Sequence, residues 1–140
     1  MALDLLEPVL LGSKSLASAQ KGQLLPSNPV TKQSILTPDA ALKKLMDGNQ
    51  RFVARKRLNP NQDDFRIKEV ANGQAPFAAI LGCADSRVVP EIAFDQGIGD
   101  IFVARVAGNI AVTEDIASEE YAVGVLGAPL LMVLGHGRCG

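Results

Sequence analysis

Between residues 77 and 135 three short runs are apolar almost without interruption: "FAAILG" (77–82), "IFVARV" (101–106) and "LLMVLG" (130–135). None alternates apolar with polar positions, which is how strands buried on both faces of a parallel sheet read. The stretches between them, "VVPEIAFDQG" and "TEDIASEEYAVGVLG", have a different texture. The second opens on Thr113 with two acids behind it and stops at Gly127, a helix start and a helix stop. Upstream, "TPDAALKKLMDGNQRFVAR" offers Thr37 as N-cap, Pro38 at the first helical position and Asp39 in the first turn. Leu42, Leu45, Met46, Phe52 and Val53 recur at helical spacing and predict an amphipathic helix with these residues on its apolar face. "RLNPNQDD" breaks that helix, and residues 65–71 predict a short second one ending near Gly73. The order β-α-β-α-β predicts an α/β fold: an open, mostly parallel sheet flanked by helices, with an N-terminal helical arm.

Composition narrows the partners. With 140 residues, 47% of them hydrophobic, the chain is one domain that can bury roughly two-thirds of its unfolded surface. The net charge of −1 leaves no basic stripe for nucleic acid. No apolar run approaches the roughly 20 residues of a membrane span. Residues 1–36 read as an arm and linker, and residues 37–140 as the α/β domain. Leu3 to Leu11 is apolar, and Ala17-Ser18-Ala19 is a small-x-small pattern of the kind signal peptidase cuts. However, no basic residue precedes the run, and Asp4 and Glu7 interrupt it. A cytoplasmic arm is therefore expected, with a signal remnant and a secreted or periplasmic protein as the alternative.

Open α/β sheets bind ligands beyond the carboxyl ends of their strands, where strand order reverses. With order 2-1-3, that point lies between the first and third strands. Cys83 follows the first strand, in "LGCADSR", and His136 and Cys139 follow the third, in "LGHGRCG". The topology thus gathers the only histidine and both cysteines of the chain. Two thiolates and an imidazole suit Zn²⁺, and three ligands leave a fourth position open, as in catalytic sites. Yet cysteine is among the most buried residue types, and a single His-x-x-Cys arises by chance. The residues alone leave the zinc site and the buried-thiol reading both standing. "CADSR" is too short between Cys and Arg for a phosphatase loop, and no CxxC is present for thiol redox work. No glycine-rich phosphate loop follows the first strand, against a mononucleotide binder. Asp85 and Arg87 form either a surface ion pair or a functional pair. In the functional reading Asp85 competes as a fourth ligand or accepts a hydrogen bond from bound water, and the Arg87 fork decides which. Arg105 and Asn109 either reach a substrate-side cavity or make structural pairings. Gly82, Gly108, Gly135 and Gly137 either allow close backbone approach around the metal loops or serve ordinary turns.

The segments "CADSRVVPE", "FDQGIGDIFVARVAGN" and "EEYAVGVLGAPLLMVLGHGRCG", in that order, resemble the β-class carbonic anhydrases. The resemblance covers roughly residues 37–140 and is continuous from 77 onward. It implies one Zn²⁺ per chain, held by Cys83, His136 and Cys139, with Asp85 and Arg87 as a catalytic gating dyad and Asp85 as an alternative fourth ligand. It implies a lyase of carbon utilization, hydrating CO₂ reversibly to bicarbonate and a proton by attack of zinc-bound hydroxide. The metal lowers its water's pKa from about 15.7 to about 7 in carbonic anhydrases as a class, and two thiolates should leave it higher than three histidines would. With His136 a ligand, no second histidine can export the proton, so external buffer or Asp85 must. The resemblance also implies a homodimer or larger homo-oligomer whose N-terminal helices embrace the neighbour. Many relatives carry Asn after the arginine of the second strand, where this chain has Val106. A domain of this family continues past the second cysteine, so the domain is expected to be incomplete at its C-terminus, with the third strand an exposed apolar edge. Hydrolysis of a CO₂ analogue (carbonyl sulfide or carbon disulfide) on the same ligands, and a non-catalytic zinc-binding subunit, are the alternatives.

Overall fold

The computed structural model describes residues Leu36 to Cys139. All but Leu36 of the expected N-terminal arm, residues 1–36, lies outside them. Three parallel strands, β1 (Ala78–Cys83), β2 (Ile101–Val106) and β3 (Leu131–Leu134), form a sheet in the order β2-β1-β3. This is the predicted 2-1-3 order. All six residues of the central β1 are buried, which accounts for its unbroken apolar run. β3 differs: Leu131 is 50% exposed and Val133 62%. The pairing runs from Ala78 opposite Ile101 to Cys83 opposite Val106, and from Ala79 opposite Leu131 to Gly82 opposite Leu134. The chain leaving β3 at Gly135 therefore emerges level with Cys83.

The helices follow their sequence signals closely. In α1 (Pro38–Val53) Thr37 caps the first turn, its Oγ1 accepting from the Ala40 N–H at 3.2 Å. In α2 (Asp64–Val70) Asp63 does the same for the Arg66 N–H at 2.9 Å. The β1–β2 crossover holds only one helical turn, α3 (Pro90–Ala93), while α4 (Thr113–Gly124) spans the second. Val112, not Thr113, occupies the cap of α4 and makes no side-chain bond, leaving Glu114 and Asp115 to complement the helix dipole. One core, built from Ala41, Leu45, Phe77, Ile80, Phe94 and Ile101, lies between α1, α3 and the sheet. A smaller one, Ala79, Ala122 and Ala128 with Phe102, lies under α4. None of the helices in the described residues is long and apolar enough to cross a membrane.

The predicted apolar face of α1 needs correcting. Its buried stripe is Ala41, Leu45 and Gly48, whereas Leu42, Met46, Phe52 and Val53 are all exposed. The reason is the close approach of α1 to the end of α3. A Cβ on Gly48 would lie 1.7 Å from the Phe94 carbonyl oxygen, so only glycine permits this packing. Periodicity weighs side chains by size and cannot register a contact made by the lack of one.

Two buried carboxylates hold the turn between α3 and β2. Asp95 accepts from Arg51 Nε at 2.6 Å and from the Leu58 and Asn59 N–H groups at 3.0 and 2.9 Å. Asp100 accepts from Asn61 Nδ2 at 2.8 Å and the Gly97 N–H at 2.8 Å. Burial pushes the Asp95 carboxyl up, but the three donors outweigh it and the net shift is downward. The loop after α1 is thereby tied to the turn that leads into β2.

Candidate metal centre

Cys83 closes β1, and His136 and Cys139 sit in the turn after β3. Their donor atoms all lie within 4.8 Å of one another. The two sulfurs are 3.8 Å apart, far beyond a disulfide bond. Two thiolates at about 2.3 Å from a tetrahedral zinc lie about 3.8 Å apart, so the spacing fits that ion. His136 fits as well. Its Nδ1 faces the Gly137 carbonyl at 3.1 Å, which favours the tautomer with the proton on Nδ1 and leaves the Nε2 lone pair free. Nε2 itself is buried and has no hydrogen-bond partner among the described residues. An imidazole nitrogen left orphaned beside two sulfurs is what a metal ligand requires.

The electrostatics separate the two thiols. Cys83 is pushed down to about 6, first by the adjacent His136 ring and then by the N–H groups of Asp85 and Gly108. Those two N–H groups point at its sulfur from 3.4 and 3.3 Å. The contact between the Cys83 thiol and the ring acts both ways, raising His136 as it lowers Cys83. The Cys139 thiol is raised, because Cys83 beside it takes the first negative charge. A divalent cation bound to all three would relieve that repulsion and hold both sulfurs as thiolates.

Asp85 lies against the group without joining it. Arg87 Nε donates to its two oxygens at 2.9 and 3.2 Å, and the Arg87 N–H adds a bond at 2.9 Å. These contacts, the Arg87 side chain first, hold the Asp85 carboxyl well below the usual carboxylate range. Its Oδ2 stands 3.9 Å from His136 Nε2. The five residues singled out from the sequence (Cys83, Asp85, Arg87, His136 and Cys139) therefore sit together at the carboxyl ends of β1 and β3.

Other expectations fare differently. Of the two readings of Arg105, structural pairing is the one observed: it donates to the carbonyls of Cys83, Asp85 and Val88. A Cβ on Gly108, Gly135 or Gly137 would meet nothing within 4 Å, and one on Gly82 makes only ordinary contact, so close approach explains none of them. Gly108 adopts a φ of 76°, a conformation available to glycine, and its N–H points at the Cys83 sulfur. Sequence reasoning missed this donor. Its one signal was a glycine placed just after a strand that ends beside a cysteine.

The profile of the family described as "Carbonic anhydrase" matches residues 78–140. "Carbonic anhydrase 2" of Mycobacterium tuberculosis is 52% identical over 103 residues, which cover 74% of this chain and 50% of that protein. A carbonic anhydrase of Pseudomonas aeruginosa is 39% identical over 105 residues, covering 71% and 46%. Among solved structures, the β-carbonic anhydrase CcaA superposes with a TM-score of 0.52 at 33% identity, covering 71% of this chain and 50% of the other. One of two tetrameric β-carbonic anhydrases from Sordaria macrospora gives 0.51 at 31%, with the same coverage. The chain spans about half the length of the curated relatives it matches. Over residues 78–140 the chain matches the carbonic anhydrase family, and the solved β-carbonic anhydrases share its fold.

Proposed function

We propose that this chain carries the active site for reversible hydration of CO₂ to bicarbonate and a proton, on a zinc ion held by Cys83, His136 and Cys139. The observation that carries the reading is the convergence of these donors, with 3.8 Å between the sulfurs and an unpartnered, buried Nε2 beside them. Zinc bound there supplies Lewis acidity, lowering a water's pKa to about 7 as is characteristic of zinc carbonic anhydrases. The protein's part is positional and electrostatic. Arg87 binds both oxygens of the Asp85 carboxylate and keeps it ionised, so that it accepts hydrogen bonds at the edge of the site instead of filling the fourth position. The N–H groups of Asp85 and Gly108 hold negative charge on Cys83. His136 is the only histidine in the sequence; engaged as a ligand it cannot also ferry protons, and turnover relies on external buffer. Large exposed side chains, Val53, Phe65 and Val133 among them, support assembly with further copies of the chain.

Stopped-flow CO₂ hydration on the zinc-loaded chain, run beside Cys139→Ser, tests the proposal. We expect hydration that rises with buffer concentration and is lost in the variant. Zinc bound at one per chain with no hydration above the buffer rate would overturn it.

A further inference from the structure

Arg105 is the one charged residue within β2, in "IFVARV", and the reading above gives it no task. It lies opposite Gly82, one position before Cys83, on the neighbouring strand. From there its Nε donates to the Cys83 carbonyl at 2.9 Å, and one Nη donates to the carbonyls of Asp85 at 2.7 Å and Val88 at 2.9 Å. Three carbonyls of a single loop are thus gathered by one side chain of the next strand. The loop is held at a fourth point by the Ala84 N–H, which donates to the Val106 carbonyl at 3.0 Å. A second arginine continues the chain of contacts: Arg87 donates from Nη2 to the Arg138 carbonyl at 3.0 Å, reaching the turn that bears His136 and Cys139. None of these bonds uses a sulfur or His136 Nε2.

We infer that Arg105 is a positioning residue of the metal centre, which hangs the Cys83–Val88 loop on β2 and so sets where Cys83 and Asp85 stand relative to His136 and Cys139. The inference rests on the zinc reading for its purpose, but the clamp itself is a matter of backbone hydrogen bonds. The guanidinium is needed because its donors are spread over separate nitrogens in a fixed plane. A lysine ammonium has one nitrogen and cannot span the same three carbonyls.

Amide hydrogen exchange on the metal-free chain, followed by chelator competition for Zn²⁺, tests this in Arg105→Gln and Arg105→Lys. In Arg105→Gln we expect Ala84 and Val88 to exchange at least about tenfold faster while Ile80 and Leu81 in β1 are unchanged. The Zn²⁺ dissociation constant should rise about 10- to 100-fold, the range for groups that orient metal ligands, with Arg105→Lys in between. Loop amides and Zn²⁺ affinity both as in the parent would overturn the inference. So would faster exchange spread evenly over β1, or failure of both variants to fold, since Arg105 would then serve the fold at large. A parent chain that takes up no Zn²⁺ while its loop amides still depend on Arg105 would contradict the zinc reading and uphold the clamp.

Discussion

Two regions of the molecule handle buried carboxylates in opposite ways. On the side of α1 and α3, Asp95 collects one guanidinium and two backbone N–H groups, and its carboxyl falls below its ordinary value. On the face between α4 and β3, Glu119 is only 6% exposed and neither of its oxygens has a partner among the described residues. Burial first, and then Asp115, push its carboxyl up. Its surroundings explain the difference: Leu81, Ile116, Val123, Leu131 and Val133 line the adjoining cleft of about 490 Å³ and offer no donor. A loop that folds back supplies N–H groups, while the flank of a helix facing a strand supplies only side chains. The metal centre lies at the other end of the sheet, at the carboxyl ends of the strands. Its own loops follow the same rule, with backbone carbonyls meeting arginines and a buried sulfur meeting N–H groups.

The contrast predicts substitutions of opposite sign. Asp95→Asn strands the Arg51 guanidinium and weakens three bonds, and should cost about 2–3 kcal/mol in urea unfolding at pH 7. Glu119→Gln removes a charge that nothing compensates, and should stabilise by up to about 1 kcal/mol in the same measurement. Acid separates the two further. The Asp95 pKa is lower folded than unfolded, so its contribution is present above its ordinary 3.8 and is lost as the pH falls below that value. The Glu119 pKa is raised above 4.5 in the fold, so its penalty is present above the folded value, fades as the pH falls toward 4.5 and is gone below it. The advantage of Glu119→Gln should therefore vanish near pH 4.5, where Asp95→Asn still destabilises. Equal effects of one sign at both positions would dissolve the comparison.

The strands were legible because β1 is buried on both faces and reads as one apolar run; with β1 placed, the 2-1-3 order brought Cys83 toward His136 and Cys139. The caps at Thr37 and Asp63 act through local hydrogen bonds, which sequence does carry. The packing face of α1 was not legible, because it is decided by a missing Cβ at Gly48 and a carbonyl 46 residues away. Nor were the roles of Arg105 and Gly108. Each acts through backbone geometry (a strand register in one case, a positive φ in the other) that no residue pattern encodes. Asp95 and Asp100 were not singled out in "FDQGIGD", and only the fold shows what converges on them.

Zinc K-edge X-ray absorption on the zinc-loaded chain is the most direct test of the central claim, that Cys83, His136 and Cys139 form one metal seat. The account predicts two sulfurs at about 2.3 Å and light atoms at about 2.0–2.1 Å, with one sulfur lost in Cys139→Ser. A shell of nitrogen and oxygen alone, or one unchanged by that substitution, would contradict it.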